Sequence, residues 1–125
     1  MTFSIIASVL GLIGVIAGAL GSHAVSMNPE ISRVFGIAQT FLFFHVPVVL
    51  FTGYLASKNL SNLFRYASVI FLSGIILFSG NLYLYCFTGI LLFRKFTPMG
   101  GMLLMVGWIT LAYSFIKLKG MNGKI

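Results

Sequence analysis

Two histidines, His23 and His45, a glutamine, Gln39, an asparagine, Asn81, and the tyrosines Tyr83 and Tyr85 interrupt an otherwise apolar chain of 125 residues. Histidines in such a setting can bind haem or relay a proton, and amide and phenol groups can hold an ion or a lipid headgroup. Nucleophilic catalysis needs a nucleophile, a base and an orienting acid. The single acid, Glu30, stands in a connection between apolar runs, so no catalytic residue is assigned. A metal site is equally poorly supplied, with two His, one Cys and one acid in the whole chain. The lone Cys86 excludes an internal disulfide and any CxxC framework, and its apolar surroundings suit a small packed hydrophobe. The expectation is a protein with no catalytic residues, no metal and no cofactor.

Composition fixes where these polar groups must work. Hydrophobic residues make up 59% of the chain and charged residues 7%, far from the quarter charged that a soluble domain carries. The eight Lys and Arg sit at the ends of apolar runs rather than along one polar face, which suits a lipid bilayer and excludes nucleic acid as a partner. Spanning a membrane takes about 20 helical residues. Four stretches meet that length, at about 3–25, 34–56, 66–88 and 98–116. The connections are short, so neighbouring helices must alternate in direction. The fold class is therefore an all-α membrane protein, one domain of four transmembrane helices in an up-down-up-down antiparallel bundle.

Local signals agree with these boundaries. Asn28-Pro29-Glu30 reads as a cap, a first-turn proline and a favourable acid, which starts the second helix near Pro29, with Arg33 placed to pair with Glu30. Thr97-Pro98 repeats the pattern before the fourth helix, and Gly120 suits its end. The first apolar run lacks a basic leader and is long for a signal segment, so it reads as a retained span. With both termini cytoplasmic, Lys58, Arg65, Lys117, Lys119 and Lys124 lie inside, against Arg33, Arg94 and Lys95 outside.

Depth along the helices groups the polar residues. His23, Gln39 and Asn81 fall in the outer half of the bundle, whereas His45 sits near the middle beside Pro47, whose ring leaves the Phe43 carbonyl without its usual donor. The two histidines differ in depth by about 13 Å, too much for opposite ligands of one haem. Trp108 lies inside the fourth span and needs an acceptor there, either Asn81 or a nearby carbonyl. Each polar group can serve assembly by bonding between helices, or can line a small outer-leaflet site.

The first helix carries a different pattern. Ser4, Ala7, Gly11, Gly14, Gly18 and Gly21 recur at spacings of three and four, so one face is nearly bare backbone. Such a strip admits a close partner helix, either within the bundle or from another chain. Gly100, Gly101 and Gly107 mark further points of close approach on the fourth helix.

Four short segments in order, Gly18-Ala19-Leu20-Gly21-Ser22-His23-Ala24, His45, Leu77-Phe78-Ser79-Gly80-Asn81-Leu82-Tyr83, and Thr97-Pro98-Met99-Gly100-Gly101 leading to Gly107-Trp108, resemble the YgdD-like family of small bacterial inner-membrane proteins. The resemblance covers essentially the whole chain. It implies one compact four-helix domain in the bacterial inner membrane with no established enzymatic activity. Ser22 and Asn81 depart from the alanine and serine that relatives often carry, which makes any site there more polar. The shared segments also raise the expectation that His23 packs with Ser79, Asn81 and Tyr83. Two roles follow as expectations. One is a non-catalytic protein acting through helix packing, as a homo-oligomer or an accessory subunit of a membrane complex. The other is a ligand-binding or transport protein with an outer-leaflet pocket around His23, Gln39 and Asn81, for which a bound lipid is a fitting occupant.

Overall fold

The computed structural model describes residues 1–24 and 28–122, with the side chains of residues 22–24 and 122 outside the described set, as is Lys124 of the charge count. Helix α1 spans Thr2–Ala24 and α2 spans Pro29–Ser57. Helix α3 (Asn62–Ile75) runs through a π-helical segment, Ile76–Gly80, into α4 (Asn81–Thr88). A short α5 (Leu91–Lys95) leads to α6 (Thr97–Asn122). Four stretches are long and apolar enough to cross a membrane, Thr2–Gly21, Pro29–Ser57, Asn62–Thr88 and Leu91–Met121. Among the described residues there is no strand.

The ends of these helices follow local chemistry. The Asn28 side chain accepts from the Glu30 amide at 2.8 Å, with Pro29 as the first helical residue, as the sequence predicts. Gly89 closes α4 at φ 74°, the left-handed region that glycine enters without strain, and its amide returns to the Tyr85 carbonyl at 2.8 Å. Three local expectations need correction. Glu30 pairs with Arg94 at 2.7 Å rather than with Arg33, because the α4–α5 turn brings Arg94 across to the start of α2. Thr97 does not cap α6 from outside. It is the first residue of that helix, and its hydroxyl turns back to the Phe93 carbonyl at 3.5 Å, since α5 already supplies a helical turn. Gly120 does not stop α6, which continues to Asn122; a single glycine costs a helix only about 1 kcal/mol.

Helix α2 is the hub. Along α1, Ser4, Gly11, Gly14, Gly18 and Gly21 meet Leu50, Val46, Leu42, Gln39 and Phe35 in turn, so the numbers rise on one helix as they fall on the other. A Cβ at Gly18 would lie 2.5 Å from the Gln39 amide nitrogen. The small-residue strip thus packs inside the chain, the first of its two readings. On its other side α2 meets the third span through Ser68 to Thr52 at 2.8 Å and Ser79 to the Ala38 carbonyl at 2.9 Å, again in antiparallel order. Cys86 is buried against the Ile31 carbonyl, 3.7 Å from its sulfur.

Helix α6 closes on α3 and the π segment through glycine on both sides. A Cβ at Gly74 would approach the Leu104 amide at 3.1 Å, and one at Gly107 would meet the Phe71 ring at 2.8 Å. Lipid gives no hydrophobic drive to helix association, so these close approaches hold the bundle by dispersion and by hydrogen bonds. Gly14→Leu should therefore lower stability in detergent by about 1–3 kcal/mol without changing particle mass. Thermal unfolding followed with light scattering reads both, and a change in particle mass at unchanged stability would assign the strip to another chain.

Candidate functional site

The polar residues singled out by type resolve into separate pairs. His45 lies on the inner face of α2, 3% exposed, and its Nδ1 sits 2.8 Å from the Phe41 carbonyl. Trp108 of α6 donates its indole N–H to His45 Nε2 at 3.1 Å. A carbonyl only accepts and an indole N–H only donates, so the imidazole must carry its proton on Nδ1 and be neutral. Both ring nitrogens are then committed. A haem iron or metal ion at Nε2 would have to displace the indole. Trp108 thus finds neither Asn81 nor a carbonyl as its acceptor, and His45 bonds the Phe41 carbonyl rather than the Phe43 carbonyl that Pro47 frees.

An aromatic cage fixes this pair. Phe41 stacks on His45 with centroids 6.0 Å apart and planes 11° apart, and Phe71 meets both His45 and Trp108, at 5.8 and 5.3 Å. Gly107 makes the room, since any side chain there would meet the Phe71 ring.

The predicted outer cluster divides. Gln39 accepts from the Tyr83 hydroxyl, joining α2 to α4. Ser79 is buried and bonds the Ala38 carbonyl. The Asn81 amide bonds the Leu77 carbonyl, four residues back, at 2.6 Å. A π-helical turn strains the regular bonding of the helix, and Asn81 supplies a donor there. So Gln39 meets Tyr83, and Asn81 serves its own helix. The side chains of Ser22 and His23 lie outside the described residues. Among the described residues no three His, Cys, Asp or Glu gather to hold a metal.

A feature that residue type did not point to lies beside the His45–Trp108 pair. Phe41, Phe44 and His45 of α2 face Gly101, Met105 and Trp108 of α6 across an open cavity of about 460 Å³. The signal was available in the sequence as two stripes. Phe41, Phe44 and His45 share one face of α2, and Gly101, Met105 and Trp108 share one face of α6. Trp108 is 39% exposed, so its indole edge bonds inward while its ring forms wall.

A family model described as "Protein of unknown function (DUF423)" matches residues 17–101. A UPF0382 membrane protein of Staphylococcus aureus (strain bovine RF122 / ET3-1) is 30% identical over 120 residues, covering 94% of this chain and 98% of that protein. The UPF0382 inner membrane protein YgdD of Escherichia coli (strain K12) is 32% identical over 118 residues, covering 92% of this chain and 89% of that protein. No solved structure matches.

Proposed function

The chain belongs to the DUF423 family, and on that premise we propose that this small integral membrane protein is a non-catalytic binding protein of the bilayer, holding one hydrocarbon chain of a lipid between α2 and α6. The observation that carries this reading is the apolar groove of about 460 Å³ beside the His45–Trp108 pair. Among the described residues every buried side-chain nitrogen and oxygen has a partner, and the groove is walled by Phe41, Phe44, Met105 and Trp108, which supports a role in binding and packing.

A packing role as homo-oligomer or accessory subunit that used this groove would place a helix from another chain in it. Helix association in lipid favours strips of small residues. Here Thr40 and Gly101 are small but stand on different helices and form no strip, whereas Phe41, Phe44, Met105 and Trp108 form bulky walls. Those walls suit a thin chain better than a helix. The relative YgdD is named an inner membrane protein, and the same placement is proposed for this chain, with both termini cytoplasmic as the loop charges favour.

Gly101 offers the test. A Cβ there would meet the Phe78 ring at 3.6 Å, an ordinary contact, so a larger side chain can fill the groove without moving backbone. Native mass spectrometry from nanodiscs is expected to find a monomer that retains one lipid, and Gly101→Phe is expected to lose most of that bound population. A defined oligomer or a foreign subunit, with no retained lipid, would replace this reading with the assembly role.

A further inference from the structure

The groove does not end at Phe41. A second cavity, of about 310 Å³, is lined by Arg33, Ile37, Leu82, Arg94 and Pro98, and Phe78 of the π segment lines both cavities. The two lie end to end along α2 and α6 with Phe78 between them, and we take them together as one channel. On α2 the wall residues Arg33, Ile37, Phe41 and Phe44 recur at spacings of four and three, and on α6 Pro98, Gly101, Met105 and Trp108 do the same. Each set therefore lies on one side of its helix. From Arg33 to His45 the channel runs about 18 Å along α2, at 1.5 Å per residue. One leaflet is half of a hydrocarbon core about 30 Å thick. The channel thus begins at the membrane surface with arginines and ends near the midplane with aromatic rings.

Charge favours an anion at the open end. Arg33, Arg94 and Lys95 stand there with Glu30 as the only acid of the chain. Arg94 gives Nη1 to Glu30 and also engages Tyr85, whose ring centroid lies 5.4 Å from its Cζ, while the guanidinium fork carries five N–H donors in all. In the orientation with cytoplasmic termini these basic residues lie on the side where topology selection needs none. A ligand for them accounts for their position.

Resting on the lipid-chain reading, we propose that the channel binds one anionic phospholipid of the bilayer, its phosphate between Arg33 and Arg94 and one acyl chain along Phe78 toward His45 and Trp108. The guanidinium plane matches phosphate oxygens, and the apolar channel takes the tail. Free phosphate would leave the deeper cavity unused, and a second copy's helix would leave the arginines unmatched.

Trp108 is the single tryptophan and stands in the channel wall, so its fluorescence reports bound chains directly. The full chain is placed in vesicles of phosphatidylcholine and phosphatidylglycerol, with bromine on the acyl chains of one lipid or the other as quencher. Brominated phosphatidylglycerol is expected to quench at a mole fraction at least fivefold lower than brominated phosphatidylcholine, and Arg33→Gln is expected to reduce that preference about fivefold while quenching persists, the effect of one basic side chain at an anionic headgroup. Equal quenching by both lipids in the unaltered protein would overturn the anionic headgroup and leave the chain-binding reading standing. Quenching that Gly101→Phe leaves unchanged would overturn both.

Discussion

Gly100→Val is expected to cost about 3 kcal/mol of folding stability, at the upper end of what overpacking does. The reason is what stands opposite. A Cβ at Gly100 would lie 2.7 Å from the Leu77 carbonyl carbon and 2.8 Å from the Phe78 Cα, both main-chain atoms of the π segment. A side-chain neighbour, such as the end of Leu42 opposite Gly14, can rotate away. Main chain cannot shift alone, because Ser79, next to the contact, is tied to the Ala38 carbonyl of α2. Gly101→Val, one residue on, faces only the Phe78 ring at ordinary distance and is expected to stay within about 0.5 kcal/mol of the unaltered protein. Equilibrium unfolding in mixed micelles compares the two. Similar costs for both would mean that α6 does not rest on the π segment as described.

Trp108→Phe is expected to cost about 1–3 kcal/mol, because it leaves His45 Nε2 as a buried acceptor with no donor. His45→Phe should cost less than this in the background of Trp108→Phe, since removing both partners leaves no orphan. The coupling across the pair should be about 0.6 kcal/mol and at most about 1.7 kcal/mol, the average and the maximum for hydrogen bonds between membrane helices. A double-mutant cycle on the same unfolding assay measures it. Strict additivity would show that the two side chains are held by their aromatic neighbours alone.

These two sites also show what was legible in the sequence and what was not. Span lengths follow from apolar runs, and the start of α2 follows from Asn28-Pro29-Glu30, because both are set by neighbours in the chain. The strip from Ser4 to Gly21 announced a close partner, since bare backbone has few other uses in lipid. That its partner is α2 required the register of the two helices. Glu30 marks the same limit. A rule about residues three apart selects Arg33, whereas the turn at Gly89 delivers Arg94 from 64 positions away. His45 and Trp108 each stand in the sequence as groups that need a partner, yet their pairing depends on how Gly74, Gly100 and Gly107 seat α6 on the third span. The π segment belongs to the same class, visible only once α6 lies against Leu77 and Phe78. The channel has no signature in residue type because its walls are ordinary Phe, Met and Gly. Their chemistry lies in two stripes that face each other.

The most direct test of the lipid-binding account is photocrosslinking in vesicles with a phospholipid that carries a diazirine at mid-chain, followed by peptide mapping of the adducts. Any membrane protein touches annular lipid, so the decisive quantity is where the adducts fall. The outward face of α1, with Ile5, Leu12 and Ile16 exposed, supplies the internal comparison. The account predicts adducts concentrated on Phe44, Met105 and Trp108 and lost from them in Gly101→Phe. Adducts spread evenly over α1 and the α2–α6 channel, unchanged by that substitution, would contradict it.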